Sequence, residues 1–437
     1  MAELMTISKI SDGLRGEVAI PGDKSISHRS VMLSGLGSTP VRITNFLHAQ
    51  DCLSTVACLR ALGAKIEFQS ETELTVTGNG FHGLREPGTI IDAGNSGTTL
   101  RLMMGLLSAQ PFFSAFTGDA SLHRRPMGRV AKPLSQMGAQ IYGREGNTKL
   151  PLAVVPVEGG LKGISYQSPV ASAQVKSALL LAGMYADGPT TVTEPFVSRD
   201  HTERMLAAFG VPVKREGTAV TINPVKDEDY KAPEAIEVPG DISSAAYWLV
   251  AGAILPGSKL LLRNVGINET RTGILEVLQN MGAKLELRNE RVSGGEAAAD
   301  ICVEAGPLHG TTFGAEIMPR LIDEIPIIAV AALLAEGDTV ITGAGELRVK
   351  ETDRLAAIEQ EFNKLAPGAV EASEDGLVIH GGRTLKKARC FTYDDHRIAM
   401  SLAILGAAGE GVELENPGCV NISYPAFYGE LERLRKA

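Results

Sequence analysis

The sequence has few of the features that mark membrane, secreted and metal-binding proteins. Its five cysteines, at positions 52, 58, 302, 390 and 419, form no C-x-x-C pair and stand in apolar or strand-like contexts. Such cysteines are typical of small buried hydrophobic residues, so we expect free thiols rather than disulfides or metal ligands. The longest uncharged apolar run, residues 325–335, is too short to span a bilayer. The first residues, MAELMTISKISDG, lack the segments of a signal peptide, and we expect a cytoplasmic protein.

Positive charge is also in the minority. The chain has 42 lysine and arginine residues against 51 acidic residues, which gives a net charge of -9. This balance argues against a nucleic-acid partner, and any site for an anion must be local. Aromatic residues make up only 5% of the chain, but hydrophobic residues make up 44%, as in ordinary globular proteins. A length of 437 residues exceeds what one compact core usually holds, so we expect two or three domains.

An internal repeat is the most informative pattern in the sequence. An amphipathic helical segment, a glycine-containing turn and a short alternating strand recur at five junctions: LGAKIEF, MGAQIYG, FGVPVKR, MGAKLEL and LAPGAVEA. The helical C-terminal segment YPAFYGELERLRKA indicates a sixth unit. The pattern predicts an α/β protein of six repeated helix/strand units, three in each of two domains. The polar residues 223–241 are the best linker candidate, which places a boundary near Gly240.

Short polar motifs precede several predicted helices in the first half of the chain. They read PGDKSISHR, GNSGTTLR, RRPMGR, SAQVK and SRDHTE. A helix start has unpaired backbone N–H groups and a partial positive charge, so glycine, serine and cations there suit a bound anion. Helix capping or a solvated helix start explains each motif separately, and both interpretations stay open at this point. Because Pro126 marks a helix start, we expect Arg124 and Arg125 to lie in the preceding loop.

Three motifs in the second half place charge beside apolar helices: LIDEIPIIAVAAL, RVKETDRL and YDDHRIAM. Asp323 and Glu324 adjoin an apolar run that should be buried. A buried carboxylate is either paired with cations or works in proton transfer near a substrate. Lys350 and Arg354 stand four residues apart, which predicts one helical face and favours surface ion pairing. Arg397 again precedes an apolar helix.

Together the motifs concentrate cations at helix starts in both halves of an acidic chain. We therefore expect an anion-binding cleft between two domains, with carboxylates that can move protons. The residues alone favour an enzyme that acts on small phosphorylated or carboxylated metabolites, and they contain no metal or nucleotide motif. They do not name the reaction.

Eight motifs in order, PGDKSISHR, GNSGTTLR, RRPMGR, SAQVKSALLLAG, SRDHTERM, IDEIP, RVKETDRL and DDHRIAMS, resemble the 5-enolpyruvylshikimate-3-phosphate synthase family. The resemblance runs from about residue 21 to residue 425. It implies a monomeric enzyme without metal or cofactor that transfers the enolpyruvyl group of phosphoenolpyruvate to the 5-hydroxyl of shikimate 3-phosphate and is the target of glyphosate. It also implies the two-domain enolpyruvyl transferase fold, with domains 23–240 and 1–22 plus 241–437.

The resemblance further implies roles for individual residues. Asp323 is the expected base, and Glu351 and Lys24 are the expected proton donors. The shikimate 3-phosphate ligands implied in this way are Lys24, Ser25, Arg29, Ser172, Gln174, Ser198, Arg199, Asp323 and Lys350. The phosphoenolpyruvate ligands implied are Lys24, Gly97, Arg125, Gln174, Arg354 and Arg397.

The sequence departs from the family pattern at a few places. Ala173 stands where some members have a second serine, Glu346 where some have asparagine, and CVNISYP lacks a lysine that some members carry. The alternative enzyme is UDP-N-acetylglucosamine enolpyruvyl transferase, whose mobile loop normally carries a cysteine that GDASLHRRP lacks. A non-catalytic repeat scaffold is an alternative of another class, but it does not explain the cations at helix starts.

Overall fold

The computed structural model describes residues 3–293 and 295–436 and divides the chain into two compact units. We call Gly22–Val238 with Ser293–Glu296 the N unit, and Met1–Pro21, Pro239–Val292 and Ala297–Ala437 the C unit. Each unit has its own hydrophobic core. Within the described ranges, no helix is long and apolar enough to cross a membrane.

The helices are short. The α-helices of the described residues are α1 (Lys24–Ser34), α2 (Gln50–Ala61), α3 (Gly97–Leu107), α4 (Ala120–Arg124), α5 (Gly128–Gln136), α6 (Arg144–Asn147), α7 (Ala173–Gly183), α8 (His201–Ala208), α9 (Ile242–Ile254), α10 (Gly273–Asn280), α11 (Ile325–Leu334), α12 (Arg354–Leu365), α13 (His396–Ala408) and α14 (Phe427–Arg435). Single turns of 3-10 helix cover Asp227–Asp229, Met318–Arg320, Ile322–Glu324, Gly345–Val349 and Pro417–Ile422.

The strands are also short. They are β1 (Leu4–Ile7), β2 (Arg15–Ala19), β3 (Val41–Thr44), β4 (Lys65–Phe68), β5 (Leu74–Thr77), β6 (Ile91–Asp92), β7 (Ser114–Thr117), β8 (Gln140–Gly143), β9 (Lys149–Val155), β10 (Ser165–Gln167), β11 (Thr190–Thr193), β12 (Lys214–Glu216), β13 (Ala219–Ile222), β14 (Ala235–Glu237), β15 (Lys259–Gly266), β16 (Lys284–Ser293), β17 (Glu296–Glu304), β18 (Thr312–Phe313), β19 (Asp338–Ile341), β20 (Val370–Ala372), β21 (Leu377–His380), β22 (Ala388–Phe391) and β23 (Val412–Glu415).

Three sheets of the N unit share one topology. Their strand orders are β14-β3-β5-β4, β6-β7-β9-β8 and β10-β11-β13-β12. In each, the first two strands are parallel and the other pairs are antiparallel. A buried first helix leads into the second strand of each sheet, and a second helix follows that strand. The first helices are α1, α3 and α7, and the second helices are α2, α5 and α8.

The C unit repeats the pattern. Its sheets have the orders β2-β15-β17-β16, β18-β19-β21-β20 and β22-β23-β1. The N-terminal strand β1 pairs antiparallel with β23 and so completes the last sheet. The first helices here are α9, α11 and α13, and the second helices are α10, α12 and α14. The prediction of six repeated helix/strand units in an α/β fold is confirmed.

Glycine ends the second helices, as the junction motifs predict. Gly63, Gly138, Gly210 and Gly282 each follow a second helix by two residues and have φ of +96°, +96°, +79° and +91°. The next residue donates its N–H back to the last turn, as Ala64 does to the Leu59 carbonyl at 3.0 Å. This is the Schellman arrangement, in which glycine avoids the strain that a Cβ causes at positive φ.

Two local predictions are wrong. Arg124 ends the short helix α4 rather than lying in a loop, because the Asp119 side chain caps this helix by accepting from the Leu122 N–H at 2.7 Å. Arg125 does lie in the loop between α4 and α5, as predicted. Lys350 and Arg354 do not share a helical face. Lys350 ends a 3-10 turn and Arg354 begins α12, since Asp353 caps that helix by accepting from the Ala356 N–H at 3.1 Å. Spacing alone does not reveal a cap that lies between two charged residues.

Candidate active site

Most of the predicted site residues lie at or near the starts of helices, some in the N unit and some in the C unit. In the N unit they stand at or just before α1, α3, α5, α7 and α8. Capping accounts for some of the polar residues there. The Asp23 carboxylate accepts from the Ile26 N–H at 2.9 Å, and the Ser96 hydroxyl accepts from the Thr99 N–H at 3.1 Å. Ser172 precedes α7 but makes no side-chain cap, so capping does not explain its presence.

Arg29 is a buried cation on α1. It is 5% exposed, and its guanidinium donates to Thr202 Oγ1 at 2.6 Å, Ser177 Oγ at 2.9 Å and the Ser25 carbonyl at 2.9 Å. These bonds use three of its five N–H groups. Among the described residues no carboxylate pairs with it directly, although Glu203 acts on it through space. Burial lowers the pKa of Arg29 to about 10. A buried guanidinium with two N–H groups to spare is suited to bind an anion.

Lys24 begins α1, and its ammonium lies 2.9 Å from Asp51 Oδ2 in the first turn of α2. Both side chains are largely shielded, with exposures of 18% and 10%. Ser25 follows Lys24 and is half-buried. The three predicted residues of the first motif, Lys24, Ser25 and Arg29, thus lie in the first two turns of α1.

The start of α3 brings Gly97, Gln174 and Arg125 together. Arg101, on the first turns of α3, donates to Gln174 Oε1, and Gln174 donates to Thr98 Oγ1 at 3.1 Å. Arg125 donates to the Asn95 side chain at 2.8 Å and the Asn95 carbonyl at 3.1 Å. A Cβ added at Gly97 would lie 3.2 Å from Arg101 Nη1 and 3.3 Å from Arg125 Nη1. Glycine therefore lets two guanidinium groups approach the backbone at this helix start.

Ser172 and Ser198 meet at a single carboxylate. Glu194 Oε1 accepts from the Ser172 N–H at 2.7 Å, and Glu194 Oε2 accepts from the Ser198 hydroxyl at 2.7 Å. Both serines lie in irregular segments that precede α7 and α8. Arg199 follows Ser198 and is half-buried. The two predicted serines are thus neighbours through Glu194, a residue that the motifs did not single out.

In the C unit, Asp323 lies in the turn before α11 and faces cations. Its Oδ1 is 3.8 Å from Lys350 Nζ and 3.6 Å from Arg354 Nη1. Its backbone carbonyl accepts from Arg397 Nη1 at 3.2 Å. Glu346, where some family members have asparagine, places Oε1 3.5 Å from Lys350 Nζ. The structure therefore gathers Asp323, Lys350, Arg354 and Arg397, which come from three separate motifs of the sequence.

Arg354 is the most enclosed of these cations. It is 1% exposed and donates to Asp395 Oδ2 at 2.8 Å and to Glu351 Oε2 at 2.7 Å. Burial opposes its charge, but the nearby Asp395 and Glu351 outweigh burial and raise the pKa of Arg354 above its usual range. The contact with Arg354 favours the ionised form of Glu351, and that form must take up a proton before it can donate one.

Arg397 stands in the first turn of α13, where Asp395 caps the helix by accepting from the Arg397 N–H at 2.9 Å. It is 7% exposed. Burial again opposes the charge, but Asp323, followed by Tyr247 and Glu324, raises the pKa of Arg397. Both buried arginines therefore stay charged at neutral pH.

Sequence reasoning missed the carboxylates Asp51 and Glu194, and it gave no role to Asp395. Asp51 contacts Lys24, Glu194 contacts Ser172 and Ser198, and Asp395 contacts Arg354. Asp395 lies two residues before Arg397 in the YDDHRIAM motif, and it is the N-cap of α13. No local pattern in the sequence links Asp51 with Lys24 or Glu194 with Ser172, because these pairs are 27 and 22 residues apart. Only the contact of Glu194 with Ser198 is local, four residues along the chain.

Across the described residues, side chains that could bind a metal do not cluster. No group of three or more histidine, cysteine, aspartate or glutamate side chains there could hold a metal ion. The five cysteines are free thiols, as predicted.

Comparisons with known proteins identify the family of the chain. The family model for EPSP synthase (3-phosphoshikimate 1-carboxyvinyltransferase) matches residues 8–431. The 3-phosphoshikimate 1-carboxyvinyltransferase of Desulforudis audaxviator is 53% identical over 424 residues, covering 97% of each chain. The Bacillus cereus enzyme of the same name, from strain G9842, is 52% identical over 432 residues, covering 99% of each chain.

Solved structures show the same fold. An EPSP synthase structure from Acinetobacter baumannii superposes with a TM-score of 0.87 at 42% identity, covering 99% of this chain and 98% of that one. The enolpyruvyl transferase NikO from Streptomyces tendae, at 18% identity and a TM-score of 0.81, shares the fold over 99% of this chain and 98% of its own. The chain therefore belongs to the EPSP synthase (3-phosphoshikimate 1-carboxyvinyltransferase) family.

Proposed function

We propose that helix-start residues of both units carry out the reaction of this family. The protein transfers the enolpyruvyl group of phosphoenolpyruvate to shikimate 3-phosphate, with release of phosphate, in the shikimate pathway. The observation that carries the assignment of roles is the position of Asp323, a carboxylate facing Lys350 and Arg354. Such a group stays ionised and can accept a proton from a hydroxyl.

Shikimate 3-phosphate is bound mainly by the N unit in this proposal. Arg29 and Ser25 take its carboxylate, which is supported by the burial of Arg29 and by its two unused N–H groups. Ser172, Gln174 and Ser198 with Arg199 hold the phosphate and the ring. Lys24 contacts both substrates, and Asp323 and Lys350 hold the 5-hydroxyl.

Phosphoenolpyruvate is bound by three arginines, Arg125, Arg354 and Arg397, together with Lys24, Gly97 and Gln174. A guanidinium can donate two parallel hydrogen bonds to a carboxylate or a phosphate, and a lysine cannot. Arg354 and Arg397 are held in place by buried hydrogen bonds, so little side-chain freedom is lost when the substrate binds.

The chemistry is an addition followed by an elimination. Asp323 accepts the proton of the 5-hydroxyl as the oxygen attacks C2 of phosphoenolpyruvate, and C3 receives a proton from Glu351 or Lys24. A tetrahedral intermediate results. The bond from C2 to the phosphate oxygen then breaks, phosphate leaves, and a proton lost from C3 restores the double bond. Cations near the departing phosphate stabilise its charge.

The test is release of inorganic phosphate from phosphoenolpyruvate with each of two acceptors. We expect release with shikimate 3-phosphate and none with UDP-N-acetylglucosamine. Release with the nucleotide sugar alone would support the other enolpyruvyl transferase, and no release with either acceptor would favour a non-catalytic scaffold.

The reaction is expected to need no divalent metal, because the proposed charge stabilisation comes from lysine and arginine. Phosphate release should keep its rate after dialysis against a chelator. If the chelator abolishes the rate and added metal restores it, this prediction is wrong.

Gly97→Ala is expected to raise the inhibition constant of glyphosate by a larger factor than the KM for phosphoenolpyruvate. The new methyl group must push the guanidinium ends of Arg101 and Arg125 by a few tenths of an ångström. Glyphosate is longer than the substrate portion it displaces, so it tolerates less loss of space. A methylene-sized difference between two ligands typically changes their relative binding free energy by roughly 1 to 3 kcal/mol. Gly429→Ala, on α14 with nothing within 4 Å, is the matched control. Equal factors for the two constants contradict the steric explanation.

Three further properties belong to the same proposal. The domains are 23–240 and 1–22 plus 241–437, close to the bounds of the N unit and the C unit. The enzyme acts as a monomer in the cytoplasm. Sedimentation equilibrium at micromolar concentration should give the mass of one chain, and a twofold mass would contradict the monomer.

A further inference from the structure

The Lys176 and Glu194 pair is buried, and neither residue has a role in the chemistry above. The side chains are each 2% exposed, and Lys176 Nζ lies 3.2 Å from Glu194 Oε2. A second carboxylate oxygen, Glu203 Oε1, lies 2.7 Å from the same ammonium. Burying ionised groups is costly, and burial of such a pair is weak evidence of a contribution to stability. Its contacts therefore indicate what it does.

The Lys176 and Glu194 pair contacts Ser172 and Ser198, the two serines that precede α7 and α8. Glu194 Oε1 accepts from the Ser172 N–H at 2.7 Å, and Glu194 Oε2 accepts from the Ser198 hydroxyl at 2.7 Å and its N–H at 3.4 Å. Lys176 donates to the Ser198 carbonyl at 3.3 Å. Ser198 is thus fixed through its hydroxyl, its N–H and its carbonyl, although residues 194–200 form neither helix nor strand.

We infer that Lys176 and Glu194 are positioning residues that set the spacing of Ser172 and Ser198 for the phosphate of shikimate 3-phosphate. The inference rests on the proposed function, because that proposal assigns the phosphate to these serines. Glu194 holds both serines through hydrogen bonds. Lys176 holds Glu194 and offsets the negative charge of its carboxylate, which would otherwise repel the phosphate. When the phosphate binds, the Ser198 hydroxyl proton turns from Glu194 to a phosphate oxygen.

An electrostatic role and a positioning role of Glu194 predict opposite effects of Glu194→Ala on the affinity for shikimate 3-phosphate. The substitution removes a negative charge, so a purely electrostatic role predicts tighter binding of the phosphorylated acceptor. It also releases both serines, so a positioning role predicts weaker binding. Lys176 keeps Glu203 as a partner in this variant, which avoids leaving a buried ammonium alone.

The experiment compares calorimetric affinities for shikimate 3-phosphate and for shikimate, which lacks the phosphate. We expect Glu194→Ala to weaken binding of shikimate 3-phosphate by roughly ten- to a hundredfold, the range for loss of hydrogen bonds to a charged group. Affinity for shikimate should change much less, and kcat at saturating substrate should stay near that of the wild type. Glu194→Gln, which keeps one acceptor oxygen, should recover part of the loss.

A matched control separates this effect from general damage. Glu361 is also a buried carboxylate, which accepts from the Phe391 N–H at 2.9 Å and pairs with Lys364 at 2.7 Å, but it lies among residues without a proposed role. Glu361→Ala should leave the ratio of the two affinities unchanged. If Glu194→Ala does not fold, the ratio measured with Glu194→Gln decides.

The inference is overturned if both affinities fall by the same factor, or if shikimate 3-phosphate binds Glu194→Ala as tightly as the wild type or more tightly. A wild type that binds no shikimate 3-phosphate overturns it as well. Failure of the proposed function looks different, since the wild type then releases no phosphate from the two substrates. If the wild type releases phosphate, but the Glu194 variants keep the wild-type ratio of affinities for shikimate 3-phosphate and shikimate, only the positioning role is overturned.

Discussion

Replacing Asp323 with asparagine is expected to lower kcat by about 10² to 10⁴-fold, the usual contribution of a general base, with a much smaller change in the KM for shikimate 3-phosphate. Lys350 Nζ and Arg354 Nη1 lie 3.8 and 3.6 Å from Asp323 Oδ1, so the carboxylate is held and kept ionised by cations. Asparagine keeps the shape of the side chain but cannot accept the hydroxyl proton. Steady-state kinetics with both substrates measure the effect.

Glu346→Gln is the control for this experiment. It also removes a carboxylate from the surroundings of Lys350, whose ammonium lies 3.5 Å from Glu346 Oε1, but it leaves Asp323 in place. We expect it to lower kcat far less than Asp323→Asn does. If Asp323→Asn changes kcat and KM by the same factor, or if Glu346→Gln matches its effect, Asp323 is a binding group rather than the base.

Arg354→Met is expected to lower the free energy of unfolding by about 3 to 5 kcal/mol, because it leaves buried charge without its partner. Asp395 is fully buried and accepts two hydrogen bonds from Arg354, at 2.8 and 3.3 Å. Glu351 loses its contact with Arg354 Nη2 at 2.7 Å as well. The variant should also lose activity, since Arg354 is one of the proposed phosphoenolpyruvate ligands. Urea unfolding followed by circular dichroism gives the difference in the free energy of unfolding between the variant and the wild type.

Two further variants test whether the loss of stability comes from the orphaned buried charge rather than from the loss of any ion pair. Arg348→Met removes a partly exposed arginine that pairs with Asp353 at 2.6 Å, and such a pair contributes about 1 kcal/mol or less. Adding Asp395→Asn to Arg354→Met should recover stability, since asparagine removes the orphaned charge and can still cap α13. A loss for Arg354→Met no larger than that for Arg348→Met would contradict the buried network.

Much of the fold could be predicted because each repeat carries its own local signals. The residues Gly63, Gly138, Gly210 and Gly282 end helices through backbone geometry that glycine alone adopts easily. What the sequence did not reveal depends on caps and distant contacts. Asp353 divides the RVKETDRL motif into a 3-10 turn and a helix, which periodicity in charge does not show.

The candidate site divides in the same way. Cations at helix starts are visible in the sequence because serine, glycine, proline and arginine cluster there. Their partners are set by contacts between residues that are distant in sequence: Asp51 reaches Lys24 across 27 residues, and Glu194 reaches Ser172 across 22. The assignment of Glu351 as a proton donor stays a prediction, and its ion pair with Arg354 means that a proton must first be delivered to it.

The most direct test of the central claim is nuclear magnetic resonance of the reaction mixture, with phosphoenolpyruvate labelled with carbon-13 at C2 and C3. The account predicts one enol ether on the 5-oxygen of shikimate 3-phosphate for each phosphate released, with the 3-phosphate signal retained. Free pyruvate formed with the phosphate, or an enol ether on any other oxygen, would contradict it.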